Sequence, residues 1–255
     1  MLTLTEENGF CYHETGKGDV LLLLHGLFGA LSNFKDVIEH FSKKMQVCIP
    51  LLPLYDLSPE ETTVEGLVNY TKQFIEHKKY QSVILLGNSL GGHIALMYTM
   101  QHPEKVKSII LTGSSGLFEN SLGDTYPKKS DYDFVRQKTE YTFYDPAVAT
   151  KELVDEVYEI VNSREKALRI LYLAKSALRN NLREHLLKIH VPVMLIWGKD
   201  DKITPPFVAE EFYKLLPQSG LKFIEKCGHA AMMERSGEFN LILEQFLDNL
   251  SKSKP

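Results

Sequence analysis

Short apolar runs punctuate this chain at residues 20–24, 46–49, 82–86, 107–111, 193–197 and 221–224. Each is four or five residues long, too short for a buried helix and the right length for a strand buried on both faces. Between most of them the apolar residues recur every three or four positions, as at 31–42, 62–78 and 207–216, which predicts amphipathic helices. Strands alternating with helices predict an α/β fold, a mostly parallel sheet covered on both faces. Two features depart from the alternation. The Asn8-Gly9 pair predicts a hairpin turn within residues 1–14. Between 115 and 187 no strand-like run occurs, and helical patterns follow one another at 132–141, 151–161, 164–178 and 182–189. The chain therefore divides into a core of 1–114 and 188–255 and a helical insertion of 115–187.

The glycines are concentrated where chemistry would need them. Gly87-Asn88-Ser89-Leu90-Gly91-Gly92 follows the run at 82–86 and precedes a helical segment at 93–102. A strand, a glycine-flanked serine and a helix, in that order, make the context of a G-x-S-x-G nucleophile elbow. The sharp turn leaves no room for side chains two positions before and after the serine, hence Gly87 and Gly91. It also aims the first helical N–H groups at the place where an oxyanion would form. Two further groups stand just past strand ends: the carboxylates of Asp200 and Asp201 after 193–197, and His229 after 221–224. In a parallel sheet all of these fall on one edge, in the chain order nucleophile, acid, histidine.

Together these residues resemble the α/β-hydrolase-fold serine hydrolases over nearly the whole chain. Gly198, Asp201 and Pro205 match the family pattern G-x-x-D-x-x-x-P, which favours Asp201 as the acid and leaves Asp200 as a turn residue. Gly228-His229 matches the catalytic histidine, and His25-Gly26-Leu27-Phe28-Gly29 resembles the H-G-x-x-G oxyanion loop. The resemblance implies a twisted, mostly parallel sheet of about eight strands with helices on both faces, and it makes 115–187 a cap (lid) over the active site. It implies a Ser89–Asp201–His229 triad, oxyanion donors at the N–H groups of Leu27 and Leu90, and a structural His25 that holds its loop by a hydrogen bond. Phe28, Asn88, Tyr144 and Ala230 are expected along the substrate pocket. Such chemistry needs no cofactor or metal, and no cluster of ligating side chains suggests one.

Within the family, serine at the elbow excludes the dehalogenases and epoxide hydrolases, which carry aspartate there. Gly87-Asn88-Ser89, Cys227-Gly228-His229, Glu234, Glu238-Phe239-Asn240 and the stretch from Phe143-Tyr144-Asp145 to Tyr158 look like carbon–carbon bond hydrolases of ring-cleavage products. Three departures oppose that reading. Leu27-Phe28 stands where those enzymes have extra glycine, Ala230 where they have tryptophan, and Val157 where a cap arginine would bind the substrate's carboxylate, leaving Arg164 or Arg169 as substitutes. The expectation is a serine hydrolase of small, uncharged, partly apolar carboxylic esters, with the carbon–carbon hydrolase as the alternative. A small-molecule receptor that retains the triad is the alternative of another class.

Composition narrows the partners. A net charge of −4 provides no basic field for nucleic acid. No run is long enough to span a bilayer, and the first residues lack the basic and apolar regions of a signal peptide. Three cysteines at unrelated spacings, Cys11, Cys48 and Cys227, point to a reducing compartment, so a cytoplasmic monomer or homodimer acting on a small molecule is expected. Cys227, two residues from His229, reads as small apolar filler. Six of the twelve tyrosines (126, 132, 141, 144, 158 and 172) lie in the insertion, where an aromatic lid suits an uncharged substrate.

Overall fold

A computed structural model describes residues 3–28, 31–118 and 131–252. Gly29 of the oxyanion-loop motif, Tyr126 and the tail from 253 onward lie outside the described residues. In chain order the main elements are β1 Thr5–Glu7, β2 Phe10–Thr15, β3 Val20–Leu24, α1 Lys35–Phe41, β4 Gln46–Pro50, α2 Val64–His77, β5 Val83–Asn88, α3 Leu90–Gln101 and β6 Val106–Thr112. They continue with α4 Tyr132–Glu140, α5 Lys151–Asn162, α6 Arg164–Arg179, β7 Val193–Gly198, α7 Pro206–Leu215, β8 Ser219–Ile224, α8 Ala231–Glu234 and α9 Ser236–Lys252.

The eight strands form one sheet in the order β1-β2-β4-β3-β5-β6-β7-β8. From β4 to β8 every pairing is parallel, and the β1–β2 and β2–β4 pairings are antiparallel. The hairpin turns where Asn8-Gly9 directs it: both residues have positive φ, 49° and 81°, and Glu7 pairs with Phe10. Burial shows why the runs at 20–24 and 82–86 lack polar alternation. Leu22 and Leu24 pack with α2, α3 and α7 residues such as Val68, Ile94 and Phe212 on one face. Leu21 and Leu23 pack with Val37, Phe41, Phe239 and Leu243 of α1 and α9 on the other. Successive strand residues thus serve two separate cores.

The pattern at 182–189 does not become an α-helix; only a 3-10 turn forms, at Leu186–Lys188. The Leu182 N–H, which a first helical turn would leave without an intrahelical partner in any case, donates to Gly116 O (2.7 Å), and a single i→i−4 bond, Leu186 N–H to Leu182 O (3.2 Å), forms before the turn tightens. The pattern at 31–42 likewise splits into a 3-10 turn, Leu31–Phe34, and α1.

Strand order fixes the site. Between β3 and β5 the chain direction across the sheet reverses, since β4 lies on one side of β3 and β5 on the other. A crevice opens at such a switch point beyond the carboxyl ends of the strands. The His25-Gly26-Leu27 loop and Ser89 leave from those two strands.

Candidate active site

Ser89 sits between the last residue of β5 and the first of α3 with φ 53° and ψ −119°. This is backbone that a residue with a Cβ avoids, at a cost of about 1–3 kcal/mol, and the surroundings hold it there. The Ser89 N–H donates to Thr112 O (3.2 Å), and Ser89 O accepts from the N–H groups of Gly92 (3.0 Å) and Ser115 (3.1 Å). A Cβ on Gly91 would lie 1.9 Å from Leu24 O, so only glycine lets α3 start against β3. The turn brings the serine against the loop that follows β3: a Cβ at Gly26 would be 3.1 Å from the Ser89 Cβ.

His25 shapes that loop. Its Nε2 accepts the Leu52 N–H (3.0 Å), which leaves Nδ1 to carry the proton and donate to Gly26 O (2.9 Å). Burial holds its pKa below the usual histidine range, so the ring stays neutral and the tautomer is fixed. Leu27 O accepts from the Tyr55 hydroxyl (3.2 Å), a further tie on this loop.

Asp201 follows β7 and His229 follows β8, both buried. His229 Nδ1 meets Asp201 Oδ2 at 2.9 Å. The rest of the carboxylate is saturated: Oδ1 accepts from the N–H groups of Ile203 (2.8 Å) and Thr204 (2.9 Å), and Oδ2 from the Thr204 hydroxyl (2.8 Å). Four donors thus converge on the one carboxylate. Trp197 Nε1 in turn donates to Thr204 O (2.8 Å). Asp200 turns elsewhere, its N–H bonded to Cys227 O (2.9 Å). Thr204 was invisible to motif reading, although its three-residue spacing from Asp201 suits an aspartate that closes its own turn. Gly113 completes the seat, because a Cβ there would fall 2.7 Å from His229 Nδ1.

Asp201 and His229 are therefore joined directly, and Ser89 is tied to them through its neighbour. Asn88 Nδ2 donates to Thr112 O (3.0 Å) and to His229 O (3.3 Å). Asn88 is buried while making these two bonds. A cavity of about 20 Å³ adjoins Ser89, bounded by Leu27, Leu90, Phe118, Leu173, Ala177 and Ile203 together with Ala174, Ser115 and Thr204. Phe28 and Ala230 are not among those residues, and Tyr144 borders a different cavity of about 370 Å³ with Asp145, Pro146, Val148, Glu234 and Arg235. One wall of the cavity beside Ser89 comes instead from α6, through Leu173, Ala174 and Ala177. Cys227 is buried with its thiol pushed up to about 12, inert at neutral pH.

Neither substitute arginine reaches the cavity. Arg164 is exposed, and Arg169 Nη1 donates to Thr62 Oγ1 (2.9 Å) with Glu165 3.9 Å from Nη2. Among the described residues no group of acidic, histidine and cysteine side chains is arranged to hold a metal ion, and no helix is long and apolar enough to cross a membrane.

The sequence profile of the alpha/beta hydrolase fold matches residues 19–145 and 116–236. A solved structure of an alpha/beta hydrolase enzyme from a sediment metagenome of the Mar Chica lagoon, Morocco, superposes with a TM-score of 0.81 at 44% identity, covering 97% of this chain and 98% of that one. Among characterised proteins, 2-hydroxy-6-oxo-6-(2'-aminophenyl)hexa-2,4-dienoic acid hydrolase of Metapseudomonas resinovorans is 29% identical over 89% of this chain and 83% of its own length. A monoacylglycerol lipase of Bos taurus is 25% identical over 95% and 80% respectively.

Proposed function

The chain belongs to the α/β-hydrolase family and is a hydrolase, and from that premise we propose that it cleaves small, uncharged, partly apolar carboxylic esters. The observation that carries the reading is the lining of the cavity beside Ser89. Apart from the hydroxyls of Ser89, Ser115 and Thr204 it is aliphatic or aromatic, and it includes no charged side chain among the described residues. Both remaining hydroxyls are engaged, Thr204 with Asp201 and Ser115 with Ser89 O at 3.4 Å. At about 20 Å³ the space admits little more than one water-sized group, so an acyl chain enters as the lining side chains move apart.

In this reading Ser89 Oγ attacks the acyl carbonyl while His229 takes its proton, and Asp201 holds the imidazole and stabilises its charge. The N–H groups of Leu27 and Leu90 receive the oxyanion, each worth on the order of 3 kcal/mol. His229 then protonates the departing alcohol, and water, deprotonated by His229, releases the acid from Ser89. Residues 115–187 act as the cap over a core of 1–114 and 188–255; the contribution of Leu173, Ala174 and Ala177 of α6 to the cavity supports this.

Labelling with a fluorophosphonate, with a panel of p-nitrophenyl esters, tests the assignment. Ser89→Ala should stay folded, lose labelling and lose turnover; labelling that persists on Ser114 or Ser115 would overturn it. The second reading, carbon–carbon cleavage of an acidic dienol ketone, is favoured by the similarity to the dienoic acid hydrolase. It needs a cation for the substrate's carboxylate, and the arginines near α6 are exposed or bound to Thr62. Fast cleavage of such a substrate that is lost in Arg169→Ala would promote it.

A further inference from the structure

The loop carrying His229 is fastened to the helical insertion at several points within a few residues. The His229 N–H donates to Thr142 O (2.9 Å), just past the end of α4. The Gly228 N–H donates to Glu234 Oε2 (2.6 Å), and the Asp145 N–H, from the insertion, donates to Oε1 of the same carboxylate (2.6 Å). The two backbones are pressed together: a Cβ at Gly228 would fall 2.5 Å from Thr142 O and 2.8 Å from the Phe143 Cα. Phe143 is buried in the same apolar cluster as Cys227, Ala230 and Met232, so the contact is part of the core.

We propose that Glu234 is a positioning residue for His229, clamping the histidine loop and the insertion at a fixed separation. It rests on the reading of His229 as the general base. The chemistry singles out a carboxylate. Two N–H groups converge on one side chain, and only a carboxylate offers two acceptor oxygens with no donor. Both contacts have the short length of charge-assisted bonds. Glutamine in its place would turn an NH₂ toward one of the two N–H groups and release either the loop or the insertion. Glu234 therefore sets where the imidazole stands without touching substrate, and it passes any movement of residues 142–145 to the base.

The test compares wild type with Glu234→Gln, Glu234→Asp and His229→Ala. Turnover of p-nitrophenyl acetate is resolved into kcat and KM, fluorophosphonate labelling rates are measured, and folding is followed by circular dichroism. Folded Glu234→Gln should keep KM within about threefold while kcat falls by up to about 100-fold, the scale set by moving a reacting group about 1 Å. Labelling should slow in parallel. Glu234→Asp, which keeps both acceptors on a shorter stem, should lie between and carries the comparison should Glu234→Gln not fold. A folded variant with wild-type kcat and labelling rate overturns the proposal. So does a fall in activity that merely tracks the loss of folded protein. His229→Ala with turnover intact would instead overturn the assignment of the base, whatever Glu234 does.

Discussion

At the scale of single residues, geometry separates two neighbouring carboxylates that composition leaves equivalent. Asp200 and Asp201 are adjacent, yet only Asp201 reaches the imidazole. Asp201→Asn should lower kcat/KM for an ester by about four orders of magnitude, the loss of an orienting carboxylate, while Asp200→Asn should stay within a few-fold. The reverse ranking in steady-state assays would exchange their roles. Thr204→Val keeps the shape but removes one donor to the Asp201 carboxylate. Hydrogen bonds to charged groups contribute roughly 1.5–3 kcal/mol, so a drop of about 10- to 100-fold in kcat is expected. The placement of Ser89, Asp201 and His229 just past strand ends was legible because each follows an apolar run in the sequence. Thr204, and the bonds of Asn88, were not, because a hydroxyl or amide leaves no periodic trace.

At the scale of elements, the six strands expected from β3 onward match to within two residues at each end, since the apolar residues of runs such as 20–24 and 83–86 are buried on both faces. At 182–189 the apolar spacing predicts more helix than forms: one i→i−4 bond, Leu186 N–H to Leu182 O, leads only into the 3-10 turn at Leu186–Lys188, and local spacing hides that early stop. The link between α3 and α6 was equally hidden. His93, four residues beyond Ser89, donates from Nε2 to Asn180 O (2.9 Å) at the end of α6 and is fully buried. Burial lowers its pKa from 6.5 to about 4. Unfolding returns it to its ordinary value, so below pH 6.5 the unfolded chain takes up a proton that the native ring refuses. Stability from this residue is thus intact above pH 6.5 and declines as pH falls toward 4, by up to about 3 kcal/mol. Urea unfolding at pH 7 and pH 4.5 should show the decline, and His93→Gln, which retains a donor for Asn180 O, should show less of it. Equal declines in both proteins would contradict the assignment.

At the scale of the whole molecule, the proposed cap and its charges make a joint prediction. If the substrate is neutral, Arg164→Ala and Arg169→Ala should each leave ester turnover within a few-fold. A loss on the scale of 2–5 kcal/mol in kcat/KM would mark a buried charge pair with substrate. The order of the sheet carries a different consequence. The candidate groups leave from β3, β5, β7 and β8, so residues 25 to 229 must all find register before they meet. A slip of one residue displaces a strand by about 3.3 Å, well past the tolerance of roughly 1 Å for reacting groups. Turnover then becomes a clock for the last pairing event. During refolding from urea, helical circular dichroism should return first and ester hydrolysis only afterwards, with a lag set by docking of the β7–β8 half. Simultaneous recovery of both signals would show that the sheet closes in a single step.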